Sequence, residues 1–239
     1  VQQILGLNNN ISVNDTWSMS FDLSESRDRS QNYVDDEITT NYNTRHRYAG
    51  WINHLRLNAQ HQVNIGLEYE NDKIDSSDTY VSDSRDNKAV FASWEAEIDK
   101  NSWLLSARHD DNESFGHETT GTADYGYQLS EQLKLTANAG TGFKTPTFND
   151  LYYPLDSFGY EGNPDLKPEK STSYGIGVQG TPSWGRWAVN TYKNKIRNRI
   201  VWDTSSSNVD VAKKKGVEFE VKTSLADWQV SADASFLQP

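Results

Sequence analysis

The chain has 239 residues, a formal net charge of -11 and no cysteine. The absence of cysteine excludes a disulfide framework, a thiol nucleophile and a thiolate metal site. The acidic charge argues against a general nucleic-acid binder, because a phosphate backbone requires a basic face. The mean hydropathy is -0.82, and no apolar run approaches the roughly 18 residues of a membrane-spanning helix. Aromatic residues nevertheless make up 12% of the chain, a share that disordered chains lack, so we expect a folded protein.

Apolar and polar residues alternate along most of the chain. In the first clear example, Trp17, Met19 and Phe21 occupy one face of an extended segment, while serine and aspartate occupy the other. This period of two predicts strands with one apolar and one polar face. The pattern predicts about twelve strands, at about residues 1–12, 15–28, 37–57, 61–74, 86–99, 102–114, 118–129, 132–143, 170–180, 185–203, 208–223 and 226–237.

The connections between these predicted strands alternate in length. Short turns are predicted at residues 13–15, 58–61, 99–102, 130–132, 180–185 and 225–227. Longer polar connections are predicted at residues 29–36, 75–85, 144–169 and 204–207, and the segment 110–117 is the shortest on that side. One end of the sheet should therefore carry short turns, and the other should carry long loops.

Strand length and aromatic placement favour an antiparallel transmembrane β-barrel over a soluble β-sandwich. Sandwich strands average five or six residues, whereas these strands run to about ten or more, as a barrel requires. The tryptophans that follow short turns lie where the inner aromatic girdle of a barrel would be: Trp17, Trp103, Trp187 and Trp228. A sandwich core could also hold these tryptophans, and twelve strands could close on themselves as a small porin. Both alternatives remain open at this point.

The segment from Thr141 to Ser171 has no usable hydrophobic period, and it holds four of the chain's six prolines. Loops of this length are uncommon in compact domains unless they are functional. Gly162, Asn163 and Pro164 are turn formers. We therefore predict a compact excursion at the extracellular end of the barrel that helps to shape a binding mouth.

Five segments together resemble the TonB-dependent outer-membrane receptors, and more narrowly their cobalamin-transporting branch. The segments are "SESRDRS", "ARHDDNESFGHETT", "GTGFKTPTFNDLYYP", "GNPDLKPEKS" and "KKKGVEFEV". The resemblance covers essentially the whole chain in the same order. It implies a barrel of about 22 strands around an N-terminal plug. Residues 1–239 would then be a partial barrel domain, without the plug and the last strands.

The resemblance also implies a function. The protein would be a receptor and transporter for vitamin B12 (cobalamin), energised through TonB, in the outer membrane of a Gram-negative bacterium. Its partners would be outer-membrane lipid, TonB and its own plug, with no nucleic acid, and it would be a monomer. No catalytic constellation accompanies Asp110 and Asp111, so we expect no enzyme. A TonB-dependent siderophore or haem receptor, or a passive porin-like barrel, remains the alternative.

Candidate site residues follow from the same resemblance. In the family, aspartates of the first apical loops bind calcium, which suits clustered oxygen ligands. The corresponding candidates here are Asp28, Asp35 and Asp36, which could equally be ordinary solvated acids. The candidates for contact with cobalamin are Arg29, Ser82, Tyr152, Tyr153 and Tyr160, although the tyrosines could instead pack the loop on itself. Arg29 stands where the family tends to have a tyrosine.

Overall fold

A computed structural model describes residues 1–156, 158–203 and 205–238, apart from the side chain of Val34. The strands are β1 Gln2–Asn14, β2 Trp17–Val34, β3 Glu37–Arg56, β4 His61–Ser76, β5 Ser84–Ile98, β6 Asn101–Asn112, β7 Gly116–Ser130, β8 Leu133–Lys144, β9 Glu169–Gly180, β10 Gly185–Trp202, β11 Ser206–Leu225 and β12 Trp228–Gln238. One short helix, α1, spans Phe148–Tyr152. No helix in the described ranges is long or apolar enough to cross a membrane.

All twelve strands form one sheet in the order of the sequence, and each strand is antiparallel to its neighbours. This confirms the predicted all-β antiparallel architecture and its number of strands. A single sheet does not fit the sandwich alternative, which needs two. In the described strands, β1 pairs with β2 and β12 pairs with β11, with no pairing between β1 and β12. The closed twelve-stranded porin is therefore not supported.

The strand register places the apolar side chains on one face of the sheet. Residues that pair directly in an antiparallel ladder share a face, and Leu135 pairs with Val178, which pairs in turn with Val189 and then with Phe219. This face, which we call the apolar face, is not covered by a second sheet, and Leu135 is 41% exposed. The apolar register of the sequence lies on it: Val63, Ile65, Leu67, Leu133, Leu135, Val217 and Phe219.

The opposite face, which we call the polar face, carries charged residues joined by hydrogen bonds. It includes the predicted lumen residues Glu68, Glu70, Lys134, Glu218 and Glu220. Arg108 on β6 contacts Glu68 on β4, and its Nη2 donates to Asp110 Oδ1 at 2.9 Å. Asp110 is 2% exposed, so its charge depends on Arg108 for compensation. Asp111 pairs with Lys88 on the apolar face, so the two neighbouring aspartates do not form a carboxylate pair.

Two of the predicted long connections are wrong. β2 and β3 continue through the predicted connection 29–36 and join at a tight turn, where Asp35 and Asp36 have φ values of 49° and 65°. Such paired positive values are typical of a two-residue hairpin turn. The connection predicted at 204–207 is also shorter, because β11 begins at Ser206, and Thr204 lies outside the described residues. The long connections are residues 77–83 and 145–168, and the second of these is called the excursion below.

Candidate functional site: the mouth of the barrel

The excursion begins with a helix that its own sequence caps. Thr147 Oγ1 accepts a hydrogen bond from the amide of Asp150 at 3.1 Å, and the amide of Thr147 donates to Asp150 Oδ2 at 2.8 Å. These reciprocal bonds form a capping box, which explains why α1 begins at Phe148. This helix was not predicted from the sequence, although the Thr-x-x-Asp spacing of residues 147–150 was the signal for it.

Asp150 also connects the excursion to β10. The residue is 8% exposed, and its Oδ1 accepts a hydrogen bond from Trp202 Nε1, at the end of β10, at 2.6 Å. The ring of Tyr153 meets the Trp202 ring edge-on, with centroids 6.3 Å apart. A buried carboxylate needs hydrogen bonds to offset its lost hydration, so these contacts fix the position of α1 relative to β10.

The returning arm of the excursion is hydrogen-bonded to the β10–β11 hairpin. Asn163 Nδ2 donates to the carbonyl of Ser206 at 3.0 Å, and the amide of Lys167 donates to Asn208 Oδ1 at 2.8 Å. Leu166 is 4% exposed, as expected for an apolar anchor under a folded loop. The excursion is therefore packed against the neighbouring strands rather than extended into solvent.

On its other side, the excursion contacts the β4–β5 connection and β5. Tyr80 Oη donates to Asn149 Oδ1 at 2.7 Å. Burial of the Tyr80 hydroxyl, together with the nearby Asp78 carboxylate, raises its pKa to about 12, so the hydroxyl stays protonated and remains a donor. Arg85 Nη1 donates to the carbonyl of Pro146 at 2.9 Å. Its guanidinium carbon lies 5.3 Å from the centroid of the Phe148 ring, within cation–π range.

A cavity of about 430 Å³ lies between α1 and the polar face of the first strands. Asp28, His46, Asp72, Arg85 and Phe148 are among the residues that line it. The volume lies within the usual range for ligand pockets, and the lining combines an aromatic ring with several polar groups, as such pockets do. This cavity and the tyrosines of the excursion make up the mouth.

The three aspartates predicted as calcium ligands are not brought together. Asp28 lines the cavity, whereas Asp35 and Asp36 lie at the β2–β3 turn, about 20 Å further along the strand at 3.3 Å per residue. In residues 1–156, 158–203 and 205–238, no group of three or more histidine, cysteine or acidic residues could hold a metal ion. These residues do not fit a calcium site on their own, and calcium binding stays a prediction.

The predicted ligand-contact residues divide into two groups. Arg29 pairs with Asn43 in the register of the apolar face, away from the cavity. Ser82 lies in the β4–β5 connection, where its hydroxyl donates to the Ser84 carbonyl at 3.4 Å. The tyrosines lie in the excursion: Tyr152 ends α1 and is half-buried, Tyr153 packs on Trp202, and Tyr160 is 43% exposed.

The structure also assigns roles to residues that sequence reasoning passed over, chiefly Arg85, Asp150 and Trp202. They contact one another or the excursion across more than fifty positions of sequence. Only the capping box at Asp150 left a local signal. The other contacts come from the way β5, α1 and β10 meet in three dimensions.

Replacement of Asp150 with alanine should loosen the excursion without unfolding the sheet. A hydrogen bond to a charged group contributes about 1.5–3 kcal/mol, so local opening should become roughly tenfold to a hundredfold more frequent. Amide hydrogen exchange at Leu151 and Asn163 in the intact protein would measure this change. Asp165→Ala is the matched control, because Asp165 lies in the same excursion and is exposed. Equal exchange in the two variants would contradict the anchoring role of Asp150.

Comparison with known proteins identifies the architecture. A family profile described as "TonB dependent receptor-like, beta-barrel" matches residues 2–238. The chain is 36% identical over 216 residues to a vitamin B12 transporter, BtuB, of Photobacterium profundum, covering 86% of this chain and 35% of that protein. It is 32% identical over 200 residues to BtuB of Vibrio vulnificus, covering 77% of this chain and 32% of that protein. The chain thus spans about a third of the length of these relatives.

Solved structures share the fold at lower sequence identity. The siderophore receptor PirA from Pseudomonas aeruginosa superimposes with a TM-score of 0.83 at 16% identity, covering 99% of this chain and 50% of that one. The copper transporter OprC superimposes with a TM-score of 0.75 at 16% identity, covering 99% of this chain and 45% of that one. Proteins of this family are transporters rather than enzymes. The chain belongs to the TonB-dependent receptors, as part of the β-barrel that these proteins place in the outer membrane of Gram-negative bacteria.

Proposed function

We propose that this chain is part of an outer-membrane receptor that takes up vitamin B12 (cobalamin) with energy delivered through TonB. The observation that carries the proposal is sequence likeness, because the chain is much closer to the vitamin B12 transporters than to the siderophore and copper receptors that share its fold. Members of the family work with TonB and hold a plug domain. The whole protein would therefore have both as partners, and would act as a monomer in outer-membrane lipid.

The chemistry of the mouth supports this choice of ligand. Cobalamin is bulky and mostly neutral, so its recognition requires aromatic and amide contacts rather than a strong charge. The mouth offers the rings of Tyr152, Tyr153 and Tyr160 and the loop that carries Ser82.

Two earlier site expectations are not part of the proposal. Arg29 lies in the register of the apolar face, on the opposite side of the sheet from the cavity, so it would not contact a ligand bound at the mouth. Asp28 lines the cavity, but Asp35 and Asp36 are too far along the strand to share a cation with it. We propose ligand contact through the excursion and the β4–β5 connection without assigning a calcium ion to these three residues.

Uptake of labelled cobalamin by cells that carry the intact receptor tests the proposal. We expect saturable uptake that unlabelled cobalamin abolishes and that disappears when TonB is deleted. Excess ferric siderophore or haem should leave the uptake unchanged. Uptake of a ferric siderophore or haem in place of cobalamin would contradict the choice of ligand. Uptake that persists without TonB would contradict the proposed source of energy.

A further inference from the structure

The apolar face carries an unexpected group of positive charges where β10 and β11 approach the excursion. The five residues of this basic patch are Lys193, Lys195, Arg197, Lys213 and Lys215. Lys193 pairs directly with Lys215, and Lys195 pairs directly with Lys213. Like charges that are directly opposed across two strands are destabilising, so this arrangement requires a counter-charge.

The register shows that the basic patch continues the face that meets lipid. Two positions from the Lys193–Lys215 pair toward the short-turn end, Thr191 pairs with Val217. Two positions further in the same direction, Val189 pairs with Phe219. Side chains two positions apart in a strand share a face. Lys214, between Lys213 and Lys215, pairs with Asn194 and lies on the polar face. The same strand therefore offers both a patch lysine and a lysine on the opposite face.

The protein itself supplies little compensation for these charges. The apolar-face positions of β8 to β12 hold no aspartate or glutamate. In the described residues no salt bridge reaches any of the five cations of the patch, whereas the neighbouring Lys170 of β9 forms an ion pair with Glu118. The first strands differ, because there Glu25 on the same face binds both Arg27 and Arg47.

The height of the patch indicates where the counter-charge comes from. Lys193 lies six positions beyond Trp187 on β10, about 20 Å along the strand, and the apolar band of a barrel is about 25 Å tall. The patch therefore begins in the upper part of this band and rises toward the extracellular end. Long lysine side chains can extend upward to the level of lipid headgroups while their stems stay in contact with apolar surface.

We propose that the basic patch binds the phosphate groups of a lipid in the outer leaflet of the outer membrane. The ammonium and guanidinium groups would hold the phosphates, and the acyl chains would pack on the apolar residues below, including Val217 and Phe219. Clusters of four to eight basic residues at the membrane surface are typical of anionic lipid recognition. The inference uses the outer-membrane location of the barrel and is independent of the transported ligand.

Lipid binding by the purified intact receptor in detergent tests this inference. The probe is an acylated disaccharide bisphosphate, and the comparison lipid is the same molecule without its phosphates. The outer variant is Lys213→Gln with Lys215→Gln, and the matched control on the polar face is Lys134→Gln with Lys214→Gln, so both lose two positive charges. We expect the outer variant to bind the phosphorylated lipid at least about tenfold more weakly, and the control to bind it as the unchanged receptor does.

Three results would overturn the proposal. The first is an equal loss of affinity in both double variants, which would indicate a general effect of net charge. The second is undiminished binding in the outer variant. The third is binding of inorganic phosphate as tight as that of the phosphorylated lipid, which would show that the patch does not recognise a lipid. If the outer double variant fails to fold, the single variants Lys193→Gln and Lys195→Gln provide the same comparison. Cobalamin binding by the same preparations tests the proposed function separately from lipid binding.

Discussion

Deletion of residues 154–161 from the intact receptor should leave a folded barrel that takes up cobalamin poorly. The deletion is sterically mild, because the amide of Gly162 already donates to the carbonyl of Tyr153 at 2.8 Å. It removes Tyr160, one of the proposed ligand contacts, while β8 and β9 remain paired from Leu133 to Lys144. Loss of one well-packed aromatic contact corresponds to at least about tenfold weaker binding, and uptake at limiting cobalamin should fall accordingly.

The deletion needs two controls. Heat-dependent mobility in a denaturing gel should show a folded barrel for both the deletion variant and the parent receptor. Asp165→Ala, an exposed change in the same excursion, should leave uptake unaffected. Unchanged uptake in the deletion variant would show that residues 154–161 only connect the strands and do not contribute to ligand binding. Loss of the folded barrel would show that these residues are needed for folding.

A charge on the apolar face should destabilise the barrel far more than the same charge on the polar face. Val217 lies four positions from Val221, the partner of Trp187, which places it about 13 Å along the strand from the inner aromatic girdle and near the middle of the membrane. We expect Val217→Arg to lower the free energy of unfolding in a lipid bilayer by about 2–4 kcal/mol. Denaturant titration of the intact receptor in vesicles measures the difference.

The matched control is the next residue in the strand. Glu218 is exposed on the polar face and pairs with Asn190 and Ser235, so Glu218→Arg should change the free energy of unfolding only slightly. Equal losses at Val217 and Glu218 would mean that the two faces do not meet different solvents. That result would contradict the assignment of the apolar face to lipid.

The sequence predicted the sheet well, because strand alternation is a local property. The alternation of Val217, Glu218 and Phe219 predicts both the strand and its two faces without any information from elsewhere in the chain. The same reasoning failed between residues 29 and 36, where both faces of the ribbon are polar. Such a segment has the composition of a loop, yet its backbone groups remain paired between β2 and β3. The polar residues there indicate that water meets both faces of the β2–β3 hairpin, and they do not mark the end of the strand.

The mouth was less predictable, because its contacts join distant parts of the chain. Proline and aromatic content indicated a folded excursion, and its packing agrees with that expectation. The bond from Trp202 to Asp150 and the bond from Arg85 to Pro146 depend on which strands are neighbours in the barrel. The positions of Asp28 and Asp35 likewise became clear only when the length of β2 was known. Spacing along the sequence could not give these distances.

Direct titration of the purified intact receptor with cobalamin, a ferric siderophore and haem, under identical conditions, separates the possible ligands. The experiment should be repeated with Tyr152→Ala, whose ring lies at the end of α1. We expect saturable binding of cobalamin only, and weaker binding of cobalamin by the Tyr152 variant. Saturable binding of a siderophore or haem, with none of cobalamin, would contradict the proposed function and leave the barrel assignment unchanged.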